Sequence, residues 1–273
     1  MENLRYLIIL LYLASTVSYL LYLFIQKDGF HRAGIYLLIA GVGIHSAEIL
    51  YATVSSGQLP ATNLYDALSI AAWAIALVFL VIQFRYKIRI LGIFAAPLAA
   101  MVTILSTRLP ETPIPAQNIF NSIWFIIHIV SVFIGDAALA LACGVGLLYL
   151  LQEHAIKAKK RGFFYSRLPS LELLDTTGYA CIVVGFTMLT IGLITGFVYA
   201  KAIWGRFWSW DPKEVWSGIT WILYAVLLHE RLTVGWRGRR AAIMAIVGFC
   251  VVLFTFFGVN FFMKGHHGQF TTF

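Results

Sequence analysis

Long apolar runs follow one another through the whole 273-residue chain and constrain its fold more than any other feature. A helix needs roughly 20 apolar residues to cross a bilayer. Eight runs come close to that length, at about residues 4–25, 33–54, 68–83, 88–106, 123–151, 178–202, 215–228 and 241–263. Because 60% of the residues are hydrophobic and only 12% are charged, the chain is not a disordered segment, a nucleic-acid-binding domain or a soluble enzyme. We predict an all-α polytopic membrane protein of about eight transmembrane helices, forming one integral membrane domain over residues 1–273.

The distribution of lysine and arginine predicts how this bundle lies in its membrane. When alternate connecting segments are grouped, 14 of the 20 Lys and Arg residues fall on one side and six on the other. Segments rich in basic residues face the cytoplasm. Both termini, together with the segments 55–67, 107–122 and 203–214, should therefore face the outer, periplasmic side.

The longest cytoplasmic segment covers residues 152–177. It combines a basic run with leucines that alternate with polar residues. We predict that it is an amphipathic segment, with a helix lying on the anionic inner leaflet of the bilayer. A docking site for a partner protein is the alternative.

Ionisable side chains inside a bilayer cost about 2.5–3.5 kcal/mol each on insertion scales, so they need partners or a function. The chain places His45, Glu48, His128, Asp136 and His229 within the apolar runs or at their ends. His45 and Glu48 are three residues apart on one helix face, which predicts a hydrogen-bonded structural pair. Asp136 suits either a helix–helix hydrogen bond or a proton path. His31 and His154 fall in cytoplasmic segments, where we expect them to be solvated.

The most informative segment is an outward loop at residues 203–216 that is rich in tryptophan. Five of the eight tryptophans lie between Trp204 and Trp221, whereas an interfacial aromatic belt would spread over many helix ends. Asp211 suits a helix N-cap, Pro212 the first helical position and Glu214 the third position of a capping box. We therefore predict that helix seven begins in this loop.

The same loop has the chemistry of a site for a planar anionic ligand. Arg206 and Lys213 add positive charge where the partially positive end of helix seven faces outward. A flat aromatic surface beside an anion-attracting site fits an apolar ligand that carries carboxylates, and haem is such a ligand. His128, two turns into helix five, and His267 beside His266 beyond helix eight lie on the same side. Two such histidines can ligate haem iron from both faces.

The loop also resembles the WWD signature of the CcsA/ResC family of system II cytochrome c biogenesis proteins. The matching run is Trp204-Gly205-Arg206-Phe207-Trp208-Ser209-Trp210-Asp211-Pro212-Lys213-Glu214-Val215-Trp216. Residues 57–66 resemble the outer loop that follows helix two in this family, with Asp66 where glutamate is usual. The helix-five region around His128, Ser131 and Gly144 and the C-terminal residues 258–267 are similar too, so the resemblance covers nearly the whole chain.

Roles for individual residues follow from the resemblance. It implies that His128 and His267 are the external axial ligands of haem b, and that His229 is an intramembrane histidine on the inward haem route. His266 departs from the family pattern and is a possible substitute for His267. The residues that would contact haem in the loop are Trp204, Gly205, Trp208, Trp210, Asp211, Pro212, Glu214 and Trp216.

The resemblance implies a haem-handling subunit of a cytochrome c synthase, which presents haem outside the membrane for attachment to the CxxCH motif of an apocytochrome c. The lyase reaction, thioether formation, would require a CcsB/ResB-type membrane partner, so whether this chain alone is an enzyme stays open. The alternatives are a haem transporter or chaperone that serves a separate ligase, and a small-molecule transporter. The expected location is the bacterial inner membrane or a thylakoid membrane, with the loop facing the periplasm or lumen.

Overall fold

Helices account for most of the chain in a computed structural model that describes residues 2–109, 122–159, 162–163 and 165–262. The side chains of Glu2, Asn260 and Phe261 are not among the parts described. The helices are α1 (Glu2–Ile25), α2 (Asp28–Ser56), α3 (Leu64–Tyr86), α4 (Gly92–Ser106), α5 (Ile123–Lys157), α6 (Leu171–Trp204), α7 (Pro212–Thr233) and α8 (Arg239–Leu253). A 3-10 turn, Arg89–Leu91, precedes α4, and a π-helical turn, Phe254–Gly258, joins α8 to the short α9 (Val259–Phe262).

Seven of the described helical segments are long and apolar enough to cross a membrane, which confirms the prediction of a polytopic helical membrane protein. The helix α7 is not one of them, because charged residues lie near both of its ends. At 22 residues it is about 33 Å long, and it packs against α6 and α8. The eighth crossing, and the side of the membrane that each end faces, remain predictions.

The antiparallel helices α5 and α6 approach each other closely along a seam of glycines. A β-carbon added at Gly185 would lie 2.5 Å from the Leu139 side chain, and one added at Gly135 would lie 3.2 Å from the Gly185 carbonyl oxygen. Small residues allow two membrane helices to bring their backbones together. Gly192 and Gly196 continue the seam toward the end of α6, where they meet residues of α5 that include His128.

The polar residues of α2 have partners other than those expected. Glu48 accepts a hydrogen bond from Arg5 Nε at 2.8 Å in a largely buried ion pair. His45 is only 1% exposed and bonds Ser69 Oγ at 2.9 Å and the Tyr12 hydroxyl at 3.3 Å. Both residues make structural contacts, as predicted. They do not pair with each other, however, but connect α2 to α1 and α3.

The ends of the apolar runs also differ from the prediction. His31 was expected to be solvated, but α2 begins at Asp28, and His31 is buried within it at 3.3 Å from Gln83 Nε2. His154 is exposed, as expected, near the end of α5. The segment predicted to connect helices five and six over residues 152–177 is shorter, because α5 continues to Lys157 and α6 begins at Leu171. Leu168 and Leu174 of the predicted segment are buried. These two leucines therefore pack inside the protein and do not face the lipid.

Helix ends that the charge pattern assigned to one side meet at one end of the bundle. Residues from the α2–α3 connection, the first turns of α5, the end of α6 and the start of α7 line a single cavity there. We call this the loop end. Because α5 and α7 begin at the loop end and α6 finishes there, the three helices form the walls of the cavity.

Candidate functional site

A partly open cavity of about 250 Å³ lies at the loop end among α5, α6 and α7. Apolar side chains form most of its surface, and a few polar groups point into it. The polar and charged residues that line it are Asn63, His128, Asp136, Tyr199, Lys213, Glu214, Ser217, Thr220 and Thr255. A mostly apolar cavity with a few placed polar groups is the usual form of a small-molecule or cofactor site.

His128 projects into the cavity from α5 with one ring nitrogen already engaged. Its Nδ1 lies 2.7 Å from the Gly192 carbonyl oxygen of α6. A carbonyl oxygen only accepts hydrogen bonds, so Nδ1 carries the proton and the ring nitrogen with a lone pair is Nε2. Histidines that bind metals are commonly oriented by such a bond from the other ring nitrogen. A neutral ring with its proton on Nδ1 would present Nε2 to a metal ion.

Gly196 provides the space for this ring on α6. A β-carbon at Gly196 would lie 2.9 Å from both Cε1 and Nδ1 of His128, closer than normal packing allows. The spacing of Gly192 and Gly196 places the hydrogen-bonded carbonyl and the missing side chain one turn apart. The position of His128 therefore depends on both glycines.

Aromatic side chains line the whole cavity. We call the part nearest the tryptophan loop its mouth and the opposite part, beside the π-helical turn, its closed end. Near the mouth, Phe125 of α5 packs against Tyr199 of α6 with ring centroids 5.3 Å apart. At the closed end, Phe133 of α5 meets Phe256 of the π-helical turn at 6.3 Å. These walls offer a flat apolar ligand an aromatic surface along the cavity.

The tryptophan loop begins where α6 ends beside the cavity and packs against α6 and α7. Trp204 ends α6 and lines the cavity, and Gly205 caps the helix with a left-handed φ of 74°. Trp208 packs against Phe197 of the cavity wall at 5.6 Å and meets Trp210 edge-on at 5.8 Å. Trp210 is 78% exposed and has a φ of 60°, which is uncommon for a bulky residue and is found preferentially at functional sites.

Two buried carboxylates hold the loop against the start of α7. The capping box predicted from Asp211, Pro212 and Glu214 is confirmed, with the Asp211 carboxylate accepting from the Lys213 N–H at 2.9 Å. The Glu214 carboxylate accepts from the Ser209 N–H at 2.8 Å, the Ser209 hydroxyl at 2.9 Å and the Asp211 N–H at 3.3 Å. Glu214 therefore fixes the backbone between Trp208 and Trp210, and Asp211 caps the start of α7.

Replacing Glu214 by alanine should loosen the loop and lower the stability of the protein. The change removes the acceptor for three donors, of which the Asp211 N–H is buried and the two of Ser209 are partly buried. A buried donor left without a partner costs about 1–3 kcal/mol. The matched control is Glu172→Ala, which removes an exposed acid from the first turn of α6. Thermal unfolding in detergent should show a lower midpoint for Glu214→Ala only, and equal midpoints for the two variants would contradict this role.

Several residues predicted for the site lie elsewhere. Trp216 faces Phe254 with ring centroids 4.4 Å apart and does not line the cavity. His229, which was predicted for a separate inward route, is exposed near the far end of α7, away from the cavity. Arg206 is exposed and is not a lining residue. His266 and His267 lie outside the described residues.

Two further residues singled out in the sequence, Trp221 and Asp136, have defined positions in the structure. Trp221 donates from Nε1 to Thr190 Oγ1 at 2.8 Å and packs on Phe186, so it joins α7 to α6 as expected for a packing residue. Asp136 was expected to bond between helices or to serve a proton path. Its side chain lines the cavity and makes no hydrogen bond to any described residue, so the helix–helix bond is not found among them, and the proton path stays a prediction. Asp136 and His128 are eight residues apart on α5, a spacing that could have suggested a common site. The sequence alone does not show where the cavity lies.

Taken together, the helices and the cavity define a class of protein: a polytopic membrane protein with a ligand cavity beneath an aromatic loop. Residues 61–267 match the family described as cytochrome C assembly protein. The chain is 33% identical over 265 residues to a cytochrome c biogenesis protein CcsA of Synechococcus sp. (strain CC9902), covering 86% of both chains. It is 34% identical over 252 residues to CcsA of Porphyra purpurea, covering 78% of this chain and 79% of the relative. The chain therefore belongs to the cytochrome c assembly protein family, in its CcsA branch.

A solved structure shares the same fold. It is a cytochrome c haem lyase CcmF, similar with a TM-score of 0.65 and 16% sequence identity. The match covers 98% of this chain and 47% of that protein, so the chain spans about half the length of CcmF. At this identity the likeness concerns the arrangement of the helices alone.

Proposed function

We propose that this chain is the haem-handling subunit of a system II cytochrome c synthase. In this role it holds haem b in the cavity beneath the tryptophan loop and presents it for covalent attachment to the CxxCH motif of an apocytochrome c. A part in cytochrome c maturation follows from its family and its CcsA relatives. The observation that carries the finer proposal is His128, whose Nδ1 is engaged by Gly192 inside an aromatic cavity.

The residues of the cavity would divide the work of holding haem. His128 offers Nε2 to the iron, and His267, or His266 in its place, is the proposed second ligand. The aromatic walls exclude water, and the tryptophan loop covers the mouth. Two nitrogen ligands and a dry surrounding tune the potential of haem iron. This protein needs no nucleophile, because the two cysteine thiols of the apocytochrome add across the haem vinyl groups.

A further histidine, His229, would bind haem before the haem reaches the cavity. It lies near the far end of α7, where the charge pattern predicts the cytoplasmic side. A CcsB/ResB-type membrane protein is the proposed partner, because attachment in the resembling family uses one. In this proposal haem passes from the far end of the bundle to the loop end and meets the apocytochrome there.

The optical spectrum of protein purified without oxygen tests the proposal. We expect a low-spin spectrum of haem with two histidine ligands, both for the chain alone and for the chain with its partner. Extracted haem should be unmodified haem b. The lack of a Soret band in every preparation would overturn the assignment of a haem site.

Co-expression separates the synthase subunit from a chaperone that serves another ligase. The chain, a ResB-type partner and a secreted CxxCH acceptor are expressed together and with each component left out in turn. Covalent haem on the acceptor should appear only when all three are present. An acceptor matured by this chain without the partner would contradict the synthase-subunit proposal.

A further inference from the structure

Lys213 places a positive charge at the mouth of the cavity. It is the second residue of α7, its side chain is partly buried, and it lines the cavity together with His128. Among the residues that the structure describes, Nζ makes no hydrogen bond or salt bridge. An ammonium group that is partly removed from water and lacks a protein partner favours an anionic ligand that provides one.

The two acids beside Lys213 are already engaged with the backbone. Asp211 accepts from the Lys213 N–H, and Glu214 accepts from Ser209 and Asp211. Their negative charge is therefore used to cap α7. The first turn of a helix also carries a partial positive charge. An anionic ligand group at this point would meet both the helix end and the ammonium group of Lys213.

The closed end of the cavity has the opposite character. Asp136 lies eight residues beyond His128 on α5, about 12 Å deeper along the helix axis. Beside it are Thr220 of α7 and Thr255 of the π-helical turn, whose hydroxyls bond each other at 3.1 Å. The Thr220 hydroxyl has the Trp216 carbonyl oxygen as an acceptor and the Thr255 hydroxyl has that of Val251, so neither donor is left over for an anion. The lining thus has a cation at the mouth and an acid at the closed end.

We propose that Lys213 is the carboxylate-binding residue of this cavity, and that Lys213 and Asp136 together set the orientation of its ligand. This inference rests on the proposed function, in which the ligand is haem with two carboxylates on one edge. The carboxylates lie at the loop end against Lys213, and Asp136 disfavours the reversed orientation. Fixing the carboxylate edge also fixes where the vinyl groups lie in the plane of the ring, and the thiols of an apocytochrome must reach those groups.

The test compares haem with its dimethyl ester, which has the same ring, iron and vinyl groups but no carboxylate charge. Both are titrated into the purified full chain in nanodiscs and followed by the Soret band. The wild-type protein should bind haem roughly ten- to a hundredfold more tightly than the ester, the range expected for a charge-assisted hydrogen bond. Lys213→Met should bind the two equally, Lys213→Arg should keep the preference, and Lys213→Glu should prefer the ester.

Lys201→Met is the matched control for the loss of one positive charge. Lys201 lies on the same end of the bundle and donates to the Gly205 carbonyl oxygen at 2.8 Å, but it does not line the cavity. This variant should keep the wild-type preference. Because the preference is a ratio of two affinities within one protein, a partly unfolded variant still reports it.

The outcomes separate this inference from the proposed function. If the wild-type protein bound haem and ester equally, or if Lys213→Met and Lys213→Glu kept the wild-type preference, the role of Lys213 would be overturned while the haem site stood. If the wild-type protein bound neither porphyrin, the proposed function itself would fail.

Discussion

Replacing His128 by alanine should lower covalent haem attachment to an apocytochrome by at least about a hundredfold. Loss of a residue that only orients a metal ligand costs 10- to 100-fold in metal affinity or activity, so loss of the ligand itself should cost more. His128 is also the only histidine among the described lining residues of the cavity. The variant should lose the low-spin spectrum of two histidine ligands. The measurement combines this spectrum with the yield of mature cytochrome c in the co-expression assay.

Rescue by imidazole distinguishes a missing ligand from a misfolded protein. Removal of the His128 ring leaves space beside Gly196, so added imidazole should restore part of the low-spin spectrum and of the attachment. A variant that stays inactive but regains the spectrum would still support ligation. A His128→Ala protein with an unchanged spectrum would show that this residue is not the ligand.

Gly196→Ala should disturb the same histidine indirectly, because Gly196 provides the space for the His128 ring. The added methyl group would lie 2.9 Å from the imidazole, so the ring must shift and its bond to Gly192 must weaken. We expect an intermediate loss of haem occupancy. Gly43→Ala is the control, because a β-carbon there meets nothing within 4 Å. Equal occupancy in the two variants would show that the position of His128 does not depend on Gly196.

Local sequence signals predicted the helices and their caps well. A run of apolar residues marks a membrane helix wherever it occurs, and the cap at Asp211 and Glu214 depends on residues only three apart. The helix ends were less accurate, because a helix can continue past its apolar run. His31 illustrates this, since α2 begins three residues before it and carries it into a buried contact with Gln83.

Pairing between distant helices was not predictable from one sequence. Glu48 is paired with Arg5, which is 43 residues away, and no local pattern points to that choice. The same limit applies to the cavity. The aromatic loop and His128 were recognisable as residue types, but the contact of His128 with Gly192 spans 64 residues. Asp136 shows the consequence, because its place in the cavity depends on how α5, α6 and α7 assemble.

His229→Ala should reduce the loading of the cavity without changing the cavity itself. His229 lies 16 residues after Lys213 on α7, about 24 Å along the helix axis. One haem cannot contact both ends of that distance, so passage from the far end requires two sites used in sequence. The imidazole of His229 is exposed and makes no hydrogen bond to any described residue, as a docking ligand requires.

The two histidine variants should therefore fail at different steps. In His229→Ala the loop-end cavity should receive less haem, and haem supplied from outside to purified protein should fill it normally. In His128→Ala haem should remain bound near the far end, while attachment stops. The measurements are haem occupancy after purification, occupancy after external addition, and the yield of mature cytochrome c.

The control for His229 is another exposed histidine at the same end of the bundle. His154 lies near the end of α5, and His154→Ala should behave as wild type. The alternative role for His229 is to reach the membrane interface beside Arg231, which is held by Asp175 through two hydrogen bonds of 3.1 and 2.6 Å. In that role His229→Ala would mature cytochrome c at the wild-type rate with full haem occupancy, and the relay along α7 would be wrong. Adding haem to the purified protein decides between the two roles. If His229 is part of a relay, the His229→Ala protein starts with little haem in the cavity and is restored by added haem, which does not pass through the far end.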